Sequence, residues 1–92
     1  MTPQEFDAAL QAEGYSPAFL VERPTGYSLG DHQHPFDACA LITAGEFTLT
    51  VEGQSRTYAS GDIFRVPAGI GHLEKAGPEG ATYLACRRQL PQ

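Results

Sequence analysis

The chain of 92 residues has no tryptophan, one methionine and two cysteines, and each scarcity excludes something. Cys39 and Cys86 lie far apart in sequence and without the spacing of a redox or zinc pair, so no disulfide framework is expected. Both are expected to be reduced and at least partly buried. Basic residues are scarce as well, six Lys and Arg against eleven Asp and Glu, for a net charge of -5. With no basic patch and a pI near 4.9, nucleic acid is excluded as a partner. Long apolar runs are missing too: no segment approaches the ~18 residues of a membrane span. The beginning, Thr2-Pro3-Gln4-Glu5, lacks the basic-then-apolar order of an export signal, so a cytoplasmic protein is expected. A chain of this length makes one small domain that buries little surface alone, which favours association with a second copy.

Helical signals are confined to the beginning. Thr2 is placed as N-cap, Pro3 as the first helical residue and Glu5 as the reciprocal member of a capping box, and Gly14 ends the helix. Phe6, Ala9, Leu10 and Ala12 form an apolar stripe, with Gln4, Asp7, Gln11 and Glu13 largely outside it. The stripe should dock on the body of the domain or on a partner. From Ala18 onward the chain turns to short β-rich runs, with glycine at 45, 53, 61, 69 and 77, an even interval of eight that predicts regularly spaced turns. Strands are predicted over residues 46–51, 54–59 and 62–66, a central strand over 37–42, and a last one over 80–88. Pro67-Ala68-Gly69 fits a turn with proline second and glycine fourth. The expected organisation is a helical segment 1–16, an all-β domain 17–88 and a flexible tail 89–92.

The most informative pattern is Gly26-x5-His32-x-His34 followed by Gly45, and Gly61-x5-Pro67-x-Gly69-x2-His72. Histidines two apart on a strand project to one face, and His72 can join them if the chain folds back. Imidazoles converging from two strands suit a first-row transition metal. Over residues 22–85 these positions resemble the two motifs of the cupin superfamily. The resemblance implies a double-stranded β-helix, or jelly-roll, barrel, with His32, His34 and His72 as metal ligands at its mouth. The glutamate of the family's first motif is replaced by Ala38 and the asparagine of its second by Ala76.

Three carboxylate or thiol side chains compete for the vacated position. Asp37 is adjacent to it but points away from a regular strand's histidine face, and reaches inward only through a bulge near Pro35; otherwise it is a surface carboxylate. Glu74 follows His72 by two and shares its face, as a ligand, a general base, or a solvated partner for Lys75 or an arginine. Cys39 is either a thiolate ligand or a small core residue. Phe36, Phe47, Tyr58, Phe64 and Tyr83 serve a pocket or a packed core. Three neutral imidazoles leave a divalent ion its full charge, which favours an anionic, chelating ligand. Iron, manganese, nickel and zinc all suit such ligands. The resemblance implies a metal-dependent enzyme, dioxygenase- or isomerase-like, acting on a small polar or anionic molecule. The rival readings are a non-catalytic binding or sensor module and a structural cupin with a degenerate site. A homodimer is expected, with residues 18–23 as an edge strand for pairing.

Overall fold

The computed structural model describes residues 1–90, so Pro91 and Gln92 of the expected tail lie outside the described residues. Helix α1 spans Pro3–Ala12 and starts on the predicted box. The Thr2 hydroxyl accepts from Glu5 N at 3.1 Å, and Glu5 Oε1 accepts from Thr2 N at 2.8 Å. These two bonds satisfy amides that a helix start otherwise leaves without partners. Gly14, at φ +92°, takes the chain out of the helix.

Among the described residues six antiparallel strands follow: β1 Phe19–Arg23, β2 Ser28–His32, β3 Phe36–Val51, β4 Gln54–Ala59, β5 Ile63–Val66 and β6 His72–Gln89. Two of them are much longer than the sequence predicts. The runs 37–42 and 46–51 are one strand, and the last strand begins at His72 rather than Gly80. Gln89, placed in the tail by sequence, pairs with Phe36 inside β6. Because β3 and β6 pair along most of their length and bend, each serves two sheets. Their Phe36–Gly45 and Ala81–Gln89 halves lie with β5 and β1, and their Glu46–Val51 and His72–Ala76 halves lie with β4 and β2. The result is the jelly-roll barrel that the motifs imply.

The corner explains two glycines that do not fit the turn rhythm. Gly53, Gly61 and Gly69 stand in turns as predicted, but Gly45 and Gly77 lie within β3 and β6. A Cβ on Gly45 would stand 2.2 Å from the Gly80 carbonyl oxygen, so only glycine lets the bent strands touch there. Register shifts flank the same point, between Ile42 and Ala44 and between Gly45 and Phe47. The proline turn is also offset by one. Ile70 N donates to Pro67 O at 3.3 Å, which puts proline first and Gly69, at φ +80°, third, the position that requires a positive φ.

Strand alternation sends two sets of side chains to two cores. Ala40, Ile42, Phe47, Leu49, Phe64, Val66, Ala81 and Tyr83 fill the barrel interior, where the Phe47 and Phe64 rings stack with centroids 5.3 Å apart. Cys39, Leu41 and Cys86 face outward and are covered by Phe6, Leu10 and Tyr15. The helix stripe thus docks on its own domain. Cys39 and Cys86, distant in sequence, are register partners on β3 and β6, both free and buried. Burial pushes the Cys86 thiol up to about 12.

Candidate metal centre

Strand β2 ends where β6 begins, with His32 opposite His72, after a shift in register beyond Leu29. Glu74 follows His72 by two on β6 and therefore presents its side chain to the same face. Its Oε2 lies 3.5 Å from His72 Nε2 and 3.6 Å from His32 Nε2. The three ligating atoms stand within 4.8 Å of one another, and His72 is almost fully buried.

Hydrogen bonds to the backbone decide which nitrogen of each ring is available. Nδ1 of His32 is 2.7 Å from the Gly30 carbonyl and Nδ1 of His72 is 3.0 Å from that of Ile70. A carbonyl can only accept, so each Nδ1 carries the hydrogen and each neutral ring offers an unprotonated Nε2. Tyr27 donates its hydroxyl to the other oxygen of Glu74, Oε1, at 2.6 Å. Burial and the adjacent carboxylate hold the Tyr27 hydroxyl protonated well above its ordinary range. In this neutral tautomer two nitrogen lone pairs and one carboxylate oxygen converge. Atoms bound at 2.0–2.2 Å to a tetrahedral ion stand about 3.3–3.6 Å apart, the separation that Glu74 Oε2 has from both nitrogens. The donor set fits a divalent metal ion.

His34 departs from the strand expectation. β2 stops at His32, so His34 sits in the connection to β3 and reaches the cavity from there. Its Nδ1 is 2.8 Å from the Phe36 carbonyl, its ring stacks on Phe36 at 4.3 Å, and its centroid is 5.2 Å from that of His72. The backbone carbonyl of His34 accepts from Gly69 N at 2.9 Å, which ties this connection to the proline turn. His34 thus lines the same cavity but stands outside the tight group of His32, His72 and Glu74.

Two of the other candidates are engaged elsewhere. Asp37 turns to the opposite side of β3, where Oδ1 accepts from Ala68 N at 2.9 Å and Oδ2 from Arg88 Nη2 at 2.9 Å. These bonds, the amide first and the guanidinium second, hold its carboxyl below the usual range. No bulge rotates it inward, because strand alternation persists through Phe36–Ile42. Cys39 lies under the helix rather than at the histidines, as the small core residue of the two sequence alternatives. Tyr27 escaped the sequence reading. Its only local signal is its place next to Gly26, and its partner is on another strand.

The cavity below the histidines measures about 220 Å³. Ala38, the residue at the vacated glutamate position, lies in its wall, as do Phe19, Val21, Arg23, Ala85 and Arg87.

The family described as Cupin domain matches residues 19–84. No curated protein matches the chain. Among solved structures, a conserved protein of unknown function from Streptococcus pyogenes is similar over 83% of this chain and 66% of its own, at 25% identity and a TM-score of 0.72. A cupin superfamily protein from Desulfitobacterium hafniense DCB-2 is similar over 77% and 64% respectively, at 25% identity and a TM-score of 0.68. The DMSP lyase DddQ from Ruegeria pomeroyi DSS-3 is similar over 82% of this chain but 38% of its own, at 29% identity and a TM-score of 0.70. The chain spans slightly under two thirds of the first two structures and well under half of the third. No helix among the described residues is long and apolar enough to cross a membrane.

Proposed function

Because this chain belongs to the cupin domain family, we propose that it is a metal-dependent enzyme acting on a small polar or anionic molecule at the barrel mouth. The carrying observation is the approach of Glu74 Oε2 to the Nε2 atoms of both His32 and His72 at ligand-to-ligand distance. In this reading His32, His72 and Glu74 hold the ion and His34 completes the set from the β2–β3 connection. Glu74 then replaces the carboxylate that Ala38 lacks, from β6 instead of β3. When bound, the ion supplies Lewis acidity to a substrate oxygen. Tyr27 fixes the rotamer of Glu74 and keeps Oε1 occupied, leaving Oε2 toward the ion. The three backbone carbonyls hold the rings in the tautomer a metal accepts. Iron, manganese, nickel and zinc all accept imidazole and carboxylate.

Metal content by plasma mass spectrometry, on protein purified without an affinity tag, tests this reading. Near-stoichiometric metal is expected in wild type and strong depletion in His72→Ala and Glu74→Ala, with a lesser loss in His34→Ala. Wild type that holds none of the four metals after reconstitution overturns it. A binding or sensor module with the same ligands would keep its metal yet turn over nothing in an oxygen-uptake or substrate-depletion screen.

The reading extends to a cytoplasmic homodimer. Two free buried thiols support a reducing compartment. β1 ends the strand order with Leu20 exposed, which supports pairing through that edge. Leu20→Glu should then release monomer in size exclusion with light scattering, and an unchanged mass would remove the dimer from the proposal.

A further inference from the structure

The barrel mouth has two chemically different walls, and a single strand contributes to both. β6 carries His72 and Glu74 beside β2 in one sheet, bends past Gly77 and Gly80, and carries Ala85 and Arg87 beside β3 in the other. Facing sheets pack about 10 Å apart, and the cavity lies between these walls, lined from both.

The second wall is cationic and aromatic. The Arg87 guanidinium lies 4.4 Å from the Phe36 ring centroid and 5.5 Å from that of Phe19. The Arg87 side chain makes no hydrogen bond or ion pair among the described residues, so its N–H groups remain able to donate. Among the described residues, Arg65 and Arg88 each have a carboxylate partner, whereas neither Arg87 nor Arg23 has one. Arg23 lies on the inward face of β1 with Phe19 and Val21. It donates from Nε to the Tyr83 hydroxyl at 3.3 Å, and its Nη groups make no ion pair. Two guanidinium groups without a carboxylate partner thus border a cavity whose remaining wall is mostly apolar, with Val21, Ala38, Ala40 and Ala85 as its small residues and Phe64, Val66 and Tyr83 among its larger ones. A planar fork with free donors matches a carboxylate, and the alanines match a short hydrocarbon body. At about 30 Å³ per water, the cavity volume corresponds to roughly seven waters, which bounds the occupant to a small molecule.

The geometry points to a small monocarboxylic acid as the occupant, its carboxylate on the fork of Arg87 and its hydrocarbon body between Val21, Ala38 and Ala85. Its far end lies at His32, His72 and Glu74. Arg23 adds positive potential on the flank. Only the role of that far end rests on the metal reading. The carboxylate anchor stands without it.

The test is calorimetric titration with unbranched acids from butanoate to heptanoate and with the corresponding amides, on wild type, Arg87→Gln, Arg87→Lys and His72→Ala, with metal content measured on each. At least one acid is expected to bind wild type about tenfold or more tightly than its amide. Arg87→Gln should erase that preference while leaving metal content unchanged, and Arg87→Lys should restore part of it. Equal binding of acid and amide, no binding of any acid, or an acid preference that survives Arg87→Gln overturns the proposal. An acid preference lost in His72→Ala but kept in Arg87→Gln would put the carboxylate on the ion and overturn it too. Metal-free wild type that still binds acid through Arg87 would fell the metal reading and leave this one intact.

Discussion

The two faces of the sheet formed by β1, β5 and the adjoining halves of β3 and β6 use the same strands to opposite ends. Outward, Cys39, Leu41 and Cys86 meet Phe6, Leu10 and Tyr15 in a filled layer. Inward, Ala38, Ala40 and Ala85 alternate with them and border open space. The lesson concerns size rather than polarity. At these positions both faces are apolar, although Arg23 and Arg87 also border the inner one, and alanines facing another sheet leave room that side chains of leucine size would occupy. The cavity exists because the inner wall is built of small residues next to the histidines, while deeper in the barrel Phe47, Phe64 and Tyr83 close it.

Stripping the outer face should give the largest effect. Phe6 is fully buried, and Phe6→Ala should cost about 3–5 kcal/mol in urea unfolding while the folded fraction keeps its metal. A change of under 1 kcal/mol would mean that the helix does not hold the layer closed. On the inner side, Tyr27→Phe frees Glu74 Oε1 and should weaken metal affinity by about 10–100-fold in a competition titration. Unchanged affinity would show that the hydroxyl does not position the carboxylate. Ala38→Leu sharpens the contrast further. Filling the wall should cost no more than about 3 kcal/mol of stability yet abolish acid binding in calorimetry.

Smaller effects test the polar and thiol groups of the outer face. Asp37 titrates below its ordinary value in the folded protein, so its stabilising contribution is present above the unfolded value of about 3.9 and is lost as pH falls through the lower folded value. Thermal melts of Asp37→Asn should accordingly show a shallower loss of Tm below about pH 4 than wild type. Parallel acid limbs would deny the bonds from Ala68 and Arg88 any role. Least visible is the Cys86 thiol, pushed up to about 12 and buried, which should resist alkylation by iodoacetamide at pH 8 until the protein unfolds. Modification as fast as that of a free thiol would contradict the closed layer.

Much of this was legible from residues close in sequence. The Thr2–Glu5 box, the exit at Gly14, the alternation through Phe47 and Leu49 and the turns at Gly53, Gly61 and Gly69 all depend on neighbours a few positions apart. Glu74 was legible for the same reason, two residues beyond His72 on one strand. His34 reaches the cavity from a connection rather than from a strand, because alternation holds only within a strand and β2 ends two residues earlier. Gly45 and Gly77 were read as turns because sequence does not show that β3 and β6 pass so close at the corner.

The sequence by itself determined the fold class, the helix and its ends, the strand texture and the residues able to ligate a metal, since each follows from backbone preference and short-range spacing. Tertiary structure decided which face of β3 became wall and which became layer. It also set Cys39 against Cys86, Tyr27 against Glu74, and the cationic Arg87 across a cavity from His72. Those pairings join residues tens of positions apart through cross-strand register and strand bending, which emerge only when β3 and β6 close the barrel.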